Sequence, residues 1–399
     1  MTHRLYYTDA YATEFEADVI AADAFPDGRT GVVLDRTAFY PTSGGQPFDT
    51  GTLGSARVVD VLDREDGTIL HVIDGAAPVG HVAGRLDWGR RFEHMQQHTG
   101  QHLLSSAFVR AIGVETVGFH LGSTASTIDL ARVVTPSEVG RAEDLANEIV
   151  WEDRPVTVRF VAERDAATLP LRKEPVRAGP LRIVEIDGFD VSACGGTHVA
   201  RTGSVGLVAV AAAEKFRGGT RLEFVCGVRA LRTVRSLRDS VAAAVRLTST
   251  GPGDLARAIE QLQSDNRELR RQARETGERL ASWEAEGLAA RAVDHESVRL
   301  VLEALDADPD GLKALARRIA ARPGHAAVLV SRKPPLSLVV ARAEDVPLDA
   351  GSLVKEIAAR FGGRGGGRAE LAQAGGLDAP PEAVLAAVPA HLPISRTGR

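Results

Sequence analysis

Residues 91–105 read RFEHMQQHTGQHLLS, and this stretch decides the fold of the middle of the chain. Apolar residues recur here at offsets of three to five, which predicts a helix over Phe92–Gly113. His94, His98 and His102 stand four residues apart, so neighbouring members stack one turn apart on one helix face. Either pair, His94/His98 or His98/His102, can offer two imidazoles to one metal ion.

A second motif with metal-ligand spacing follows almost a hundred residues later. Residues 192–199 read SACGGTHV, in which Cys194 and His198 flank a glycine-rich turn. A thiolate together with imidazoles is the donor set that tetrahedral zinc prefers, so we expect the two motifs to meet around Zn²⁺. The H-E-x-x-H arrangement of zincin proteases and the H-x-E signature of zinc deaminases are both absent.

The segments before the histidine helix have the pattern of a small β domain. Apolar and β-branched runs at residues 17–20, 31–34 and 56–61 are separated by Gly, Asp and Pro turns. This spacing predicts a small barrel or sandwich over residues 1–90. Strand and helix patterns then mix up to about residue 230, which indicates an α+β domain.

Beyond this domain, residues 253–293 are rich in Ala, Glu, Arg, Leu and Gln. Within this segment, mostly apolar residues recur at steps of four and three residues, which resembles the a/d spacing of a coiled coil. The pattern leaves open an amphipathic helix lying on a domain, a helical hairpin or a dimer stalk. The residues at these steps are Leu255, Ile259, Leu262, Asn266, Leu269, Ala273, Thr276, Leu280 and Trp283.

The last hundred residues alternate helix and strand patterns. Helices are predicted over 311–321 and 351–361, and strands over 326–330 and 336–341, which indicates a small α/β domain. The glycine run at 362–367 is typical either of a flexible loop or of an anion-binding nest.

Composition sets the broad class of the protein. The 399 residues include 44% hydrophobic and 25% charged side chains, with a formal net charge of −5, which excludes low-complexity chains and a strongly basic nucleic-acid binder. Two cysteines cannot staple a fold of this size. The start lacks a secretory signal and no apolar run reaches about 18 residues, so we expect no membrane partner and a cytoplasmic location.

Together, the motifs closely resemble the editing domain of alanyl-tRNA synthetases and its free-standing relatives, the AlaX-type alanyl-tRNA editing proteins. HTGQH at 98–102 and CGGTH at 194–198 match that family's zinc-ligand motifs. FYPTSGGQPFDTG at 39–51 is similar to the glycine-rich segment of its β domain. FGGRGGGRAELAQAGG at 361–376 is similar to the signature of its DHH-associated C-terminal domain.

The resemblance, to the long form of the editing protein, implies an α+β multidomain chain. The expected parts are an N-terminal β-barrel (1–90), a zinc-dependent editing domain (91–247), a helical, coiled-coil-like linker (248–294) and a DHH-associated, tRNA-binding domain (295–399). The zinc ligands implied are His98, His102, Cys194 and His198, and His94 has no assigned role.

The same resemblance implies candidates around the ion. Thr99 and Gln101 lie between two ligands, and residues 118–129 resemble the strand pair lining the family's amino-acid pocket, which adds His120, Thr127 and Asp129. Each has a plainer interpretation as a capping or outward-facing polar residue. The candidate RNA contacts are Lys215, Arg217, Arg364 and Arg368.

The implied activity is hydrolysis of the ester that joins serine or glycine to alanine tRNA, acting in trans because no aminoacylation core or ATP motif is found. Four protein ligands describe a closed zinc site, whereas catalytic zinc usually keeps one position open. A tRNA-binding protein with a purely structural zinc therefore remains an alternative, as does a metallo-esterase of small substrates. Oligomerisation through the helical linker or the C-terminal domain, the preferred edited residue and the part zinc plays stay open.

Overall fold

The computed structural model describes residues 1–25, 28–166, 168–172 and 180–391, so the predicted domain end at residue 399 lies outside the described residues. The chain divides into two compact units, with the boundary between Leu247 and Thr248. In the described part of the chain, no helix combines the length and apolarity that a bilayer crossing requires.

The predicted N-terminal barrel is confirmed. Strands β2, β3, β7, β6, β5 and β8 close in that order, and the three runs singled out in the sequence lie in β2, β3 and β6. Alternating side chains of these strands, such as Val32, Leu34, Val61 and Ile73, fill the interior. The strands of this region are β1 (His3–Arg4), β2 (Glu14–Ala24), β3 (Thr30–Leu34), β4 (Arg36–Thr37), β5 (Gly51–Leu53), β6 (Ala56–Asp63), β7 (Ile69–Asp74) and β8 (His81–Leu86).

The histidine-bearing segment forms the predicted helix, α1 (Trp88–Ile112). Asp87 caps its first turn by accepting a hydrogen bond from the backbone N–H of Arg90, and Gly113 ends it in the left-handed region, at φ 66°. Its middle is buried nearly all round. A helix with this many buried His and Gln side chains needs hydrogen-bond partners from other segments.

Two sheets and three helices complete the first unit. One sheet has the order β14-β15-β10-β9, and the other has the order β11-β12-β13. Helix α2 packs on α1 and begins with a capping box between Thr135 and Glu138. These elements are β9 (Thr116–Leu121), β10 (Ser126–Leu130), α2 (Pro136–Trp151), β11 (Val156–Val161), α3 (Glu163–Ala166), β12 (Leu181–Ile186), β13 (Asp190–Ala193), β14 (Val208–Phe216), β15 (Gly219–Cys226) and α4 (Gly227–Thr248).

The second unit starts with the long helix α5 (Leu255–Ala290), where the heptad-like pattern predicts one. Its last turns pack into the unit through Ala285 and Leu288. Along the rest of the stripe, the large apolar residues are 42–63% exposed; these are Ile259, Leu262, Leu269, Leu280 and Trp283. The dimer stalk and the coiled coil therefore stay predictions.

The C-terminal α/β domain is confirmed, and the predicted helices and strands agree with the observed ones within two residues. Its sheet has the order β16-β17-β18-β19-β21-β20, and only β17 and β18 run parallel. The elements are β16 (Val293–His295), β17 (Val298–Leu305), α6 (Pro309–Ala320), β18 (His325–Ser331), β19 (Leu336–Arg342), α7 (Ala350–Phe361), β20 (Arg364–Gly367), β21 (Leu371–Leu377) and α8 (Pro381–Ala387).

The glycine run at 362–367 is neither a loop nor an anion nest, so both expectations for it were wrong. Most of it forms the edge strand β20, antiparallel to β21. A Cβ added at Gly365 or Gly367 would lie 2.4 Å from Ala374 or Ala372. Glycine is needed here because the two strands approach too closely for a side chain.

Candidate metal centre

Helix α1 brings two of its histidines to one point. The rings of His98 and His102, one turn apart, have centroids 5.4 Å apart. Both side chains are almost fully buried. His94, one turn earlier, is also buried but does not belong to this group, and its Nδ1 has no hydrogen-bond partner among the described residues.

The loop after β13 brings the other two candidate ligands to the same point. The Cys194 sulfur lies 3.3 Å from His98 Nε2 and 3.4 Å from His198 Nε2. One ligand atom from each of His98, His102, Cys194 and His198 lies within 4.8 Å of the others. The loop fits because of Gly196, where an added Cβ would lie 2.1 Å from the His98 ring.

Each histidine of the cluster makes a hydrogen bond through Nδ1 that fixes the orientation of its ring. His98 Nδ1 donates to Gln46 Oε1 at 2.8 Å, and His102 Nδ1 lies 2.8 Å from Asp190 Oδ2. His198 Nδ1 lies 3.1 Å from the Thr99 hydroxyl oxygen. These partners orient each ring with Nε2 free for an ion, as in known metal sites.

Gln46 joins the N-terminal barrel region to the metal loop. Its Oε1 also accepts from the Thr197 backbone N–H at 3.1 Å, and its Nε2 donates to the Thr197 hydroxyl at 2.9 Å. No sequence pattern singles out Gln46 as a functional residue, although it lies inside the glycine-rich stretch 39–51. Asp190 is likewise marked by no motif.

The electrostatics of the cluster suit a thiolate ligand. Burial alone would raise the pKa of the Cys194 thiol, but the His98 imidazole and hydrogen bonds from His102 and His198 hold that pKa well below its usual range. Burial lowers the pKa of His198 to about 3, so this ring is neutral. Thiolate and neutral imidazole are the ligand forms that bind metal.

The pKa of His102 shifts in the opposite direction to that of His198. Burial would lower its pKa, but hydrogen bonds to Asp190 and Cys194 raise it to about 9. The Asp190 carboxylate is itself buried, yet His102 and Arg172 hold its pKa at about 2. An ion at the cluster would take the place of the His102 proton, so we expect metal binding to release it. One thiolate and three imidazoles, with each imidazole oriented by a hydrogen bond at Nδ1, fit a divalent zinc ion.

A cavity of about 570 Å³ opens beside the cluster. His102, Cys194 and Gln101 line one part of it. Gln101 donates from Nε2 to Ser105 Oγ at 2.8 Å, and its Oε1 accepts no hydrogen bond within the described residues. Gln101 therefore borders the same cavity as two residues of the cluster.

The structure does not bring all the candidate residues to this cavity. Thr99 is fully buried and contacts His198 and the backbone N–H of Val199, so it holds a ligand and does not face the cavity. His120 and Thr127 pair across β9 and β10, and neither is among the residues that line the cavity. The predicted contact of Thr99 with water or substrate stays a prediction.

Asp129 and the basic candidates lie elsewhere in the fold. Asp129 forms an ion pair with Arg221, with distances of 2.7 and 2.9 Å, which occupies its carboxylate. Lys215 and Arg217 are exposed at the turn between β14 and β15. Arg217 has a positive φ of 47°, and its guanidinium lies over the ring of the preceding residue, 5.0 Å from the centroid.

Arg364 and Arg368 belong to the second unit. Arg364 is exposed on the edge strand β20, and Arg368 follows the end of that strand. Arg368 lines a shallow depression together with Arg317 and Arg342. The cluster of three arginines adds positive charge to this face, which the sequence pattern alone did not show.

The second cysteine is not a ligand. Cys226 is fully buried against α1, where a Cβ on Gly100 would lie 2.2 Å from its sulfur. Burial raises the pKa of its thiol. Both cysteines are free.

The chain combines a barrel, a buried cluster of three histidines and one cysteine, and a C-terminal α/β domain, and three family models from aminoacyl-tRNA synthetases and related proteins match it. These are "tRNA synthetases class II (A)" at residues 5–88, "Threonyl and Alanyl tRNA synthetase second additional domain" at 181–222, and "DHHA1 domain" at 297–389. The second match includes Cys194 and His198.

Curated relatives narrow this class to one family. The chain is 33% identical to the alanine–tRNA ligase of Pyrococcus abyssi over 387 residues, covering 93% of this chain and 42% of that protein. It is 36% identical to the alanine–tRNA ligase of Pyrobaculum calidifontis, with 93% and 42% covered, and 36% identical to that of Halobacterium salinarum, with 95% and 42% covered. The chain is thus similar to alanyl-tRNA synthetases over more than nine tenths of its own length, as its motifs predict, and it spans about two fifths of the length of these relatives.

A solved structure is similar over a smaller part. The C-Ala domain of the Aquifex aeolicus alanyl-tRNA synthetase matches with 22% identity and a TM-score of 0.24, covering 25% of this chain and 96% of that one.

Proposed function

We propose that this protein is a trans-acting hydrolase that removes serine or glycine from mischarged alanine tRNA at a zinc site. The proposal rests on the cluster of His98, His102, Cys194 and His198, which borders a cavity. Hydrogen bonds at Nδ1 orient the imidazoles of this cluster. Relatedness to alanyl-tRNA synthetases supports a role with alanine tRNA.

The need for such an activity follows from the limits of recognition. A pocket sized for alanine rejects glycine poorly, since a missing methyl group changes binding by only about 1–3 kcal/mol. An added hydroxyl, as in serine, is also poorly excluded. A second site that hydrolyses the wrong esters supplies the missing discrimination.

Bound zinc would supply Lewis acidity at the ester carbonyl or lower the pKa of a bound water. The protein's own groups hold the ion and orient the substrate. Gln46, Asp190 and Thr99 keep the three imidazoles in place, and Cys194 and His102 present the cluster to the cavity. In this proposal, Gln101, which borders the cavity, accepts a hydrogen bond through Oε1 from the substrate's amino group or hydroxyl.

The RNA body is held by charge in this proposal. Lys215 and Arg217 contact acceptor phosphates, and Arg364 and Arg368 contact another part of the tRNA. His120 and Thr127 would act only through a movement of β9 and β10, because they do not line the cavity. The cytoplasmic location also stays a prediction.

The decisive experiment measures deacylation of alanine tRNA charged with serine, glycine or alanine by the 399-residue chain alone. We expect rapid loss of serine or glycine, slow loss of alanine, and no aminoacylation. Cys194→Ala should lose deacylation while retaining its circular dichroism spectrum, and Cys226→Ala is the control cysteine. A folded Cys194→Ala variant with wild-type activity would remove zinc from the mechanism.

A second candidate is a tRNA-binding protein whose zinc is only structural, which the complete set of four protein ligands favours. Under this alternative, the zinc-loaded protein binds alanine tRNA but leaves every ester intact. A metallo-esterase would instead cleave small amino-acid esters as fast as charged tRNA. Adding a tRNA-binding measurement and small amino-acid esters to the deacylation assay therefore separates all three.

A further inference from the structure

The cavity beside the metal cluster has an aromatic wall that the small edited amino acids do not require. Three of the chain's four tyrosines line it, Tyr6, Tyr7 and Tyr40, together with Phe119 and Phe160. Serine and glycine have no planar group to match these rings. The volume of about 570 Å³ is within the range of sites for molecules much larger than either amino acid.

Phe160 is the most accessible part of this wall. It lies on β11, and its side chain is 53% exposed although it is large and apolar. Its ring centroid is 6.5 Å from that of Tyr7, with the two planes at 64°. The Tyr7 ring thus meets the Phe160 ring edge to face, and a strand, not a loop, holds the Phe160 backbone.

A buried arginine fixes this wall to the metal loop. Arg182 is the register partner of Phe160 on β12 and is 8% exposed. Its Nε donates to the Tyr7 carbonyl oxygen at 3.0 Å, and its Nη1 donates to the Cys194 carbonyl oxygen at 2.7 Å. Because one guanidinium binds both carbonyls, the aromatic pair lies next to a proposed zinc ligand.

We propose that Phe160, with Tyr7 at its edge, is the stacking platform for the 3′-terminal nucleobase of the charged RNA; this inference rests on the proposed function and deepens it. Stacking of that base places its ribose, which carries the ester, towards Cys194 and His102. Every base has a π-face, so an aromatic platform serves any terminal base. Among the described lining residues, Arg4 is ion-paired with Asp63 and Arg172 with Asp190, and Arg182 adds positive charge to this wall, which suits a phosphate backbone.

The test uses an uncharged acceptor-stem hairpin with 2-aminopurine at its 3′ end, so no hydrolysis is needed. The zinc-loaded full chain should quench the probe's fluorescence, because stacking on an aromatic ring quenches 2-aminopurine. Phe160→Ala should abolish the quenching and Phe160→Tyr should retain it. Val158→Ala is the matched control, since Val158 lies on the same strand and face, is 38% exposed and is not among the cavity-lining residues.

Kinetics give an independent readout. Loss of one base–aromatic stack should raise the KM for mischarged tRNA about 5- to 150-fold in Phe160→Ala, with kcat little changed. Quenching that depends on Phe160 without any deacylation would support the platform and defeat the hydrolase proposal. Deacylation with equal quenching by wild type and Phe160→Ala, or no quenching by wild type, would overturn the platform.

Discussion

Replacing Gln46 tests whether the barrel region contributes to the metal centre. Gln46→Leu keeps the side-chain size but removes three hydrogen bonds, one to His98 and two to Thr197. At about 0.5–1.5 kcal/mol each, their loss should lower the free energy of unfolding by roughly 1.5–4.5 kcal/mol. Since His98 Nδ1 loses its acceptor, we expect zinc affinity to fall about 10- to 100-fold.

The assay is competition for zinc against a chromophoric chelator, with urea unfolding measured in parallel. Gln46→Glu is the matched control, because its carboxylate still accepts from His98 Nδ1 and the Thr197 N–H. It should recover most of the affinity. Wild-type zinc affinity in a folded Gln46→Leu protein would refute the reasoning that this hydrogen bond orients the ligand.

Three further predictions concern packing, acid stability and RNA binding. Gly196→Ala should destroy zinc binding, because the added Cβ would overlap the His98 ring. Gly195→Ala should retain zinc binding, because no atom lies nearer than 3.8 Å to the added Cβ. Equal zinc binding by the two variants would contradict the packing argument. Burial lowers the pKa of His71 to about 4, from 6.5 in an unfolded chain. Between these two pH values the unfolded state binds a proton that the folded state does not, so the free energy of unfolding should fall by about 3 kcal/mol as the pH drops from 6.5 to 4. His71→Asn should flatten that slope in urea unfolding at several pH values, and an unchanged slope refutes the assignment. Replacing Lys215 and Arg217 by Ala should weaken tRNA binding and reduce the slope of log K against log salt by about 1–2, and an unchanged slope would exclude them as phosphate contacts.

The features predictable from the sequence are those in which local spacing carries the signal. His98 and His102 lie one helical turn apart, and Cys194 and His198 flank one tight turn, so each pair is set by its own segment. The barrel follows from apolar alternation in the same way. That both pairs meet at one point agrees with the expectation drawn from their donor atoms, and the family resemblance selected His98/His102 as the helical pair.

The supporting residues depend on contacts between distant segments, and no periodicity encodes these. Gln46 reaches His98 from 52 residues away, and Asp190 reaches His102 from 88 residues away. Thr99 was a candidate for positioning water or substrate because it lies between two ligands, and the helix turns its hydroxyl towards His198. The alternation of polar and apolar residues along strands β9 and β10 likewise could not show whether His120 and Thr127 line the cavity.

The glycine run before Arg368 shows a different limit. Glycines that permit a close approach of two strands and glycines that form a loop give the same sequence. Only the partner strand, with Ala372 and Ala374 against Gly367 and Gly365, distinguishes them. The RNA role of Arg364 and Arg368 therefore rests on charge and exposure, without the nest.

The central claim is that one zinc ion joins the helix α1 histidines to the Cys194 loop. X-ray absorption at the zinc edge of the purified protein tests it most directly. We predict one zinc per chain, with one sulfur ligand at about 2.3 Å and three nitrogen ligands at about 2.0–2.1 Å. A protein that holds no zinc after loading, or zinc without a sulfur ligand, would contradict the account.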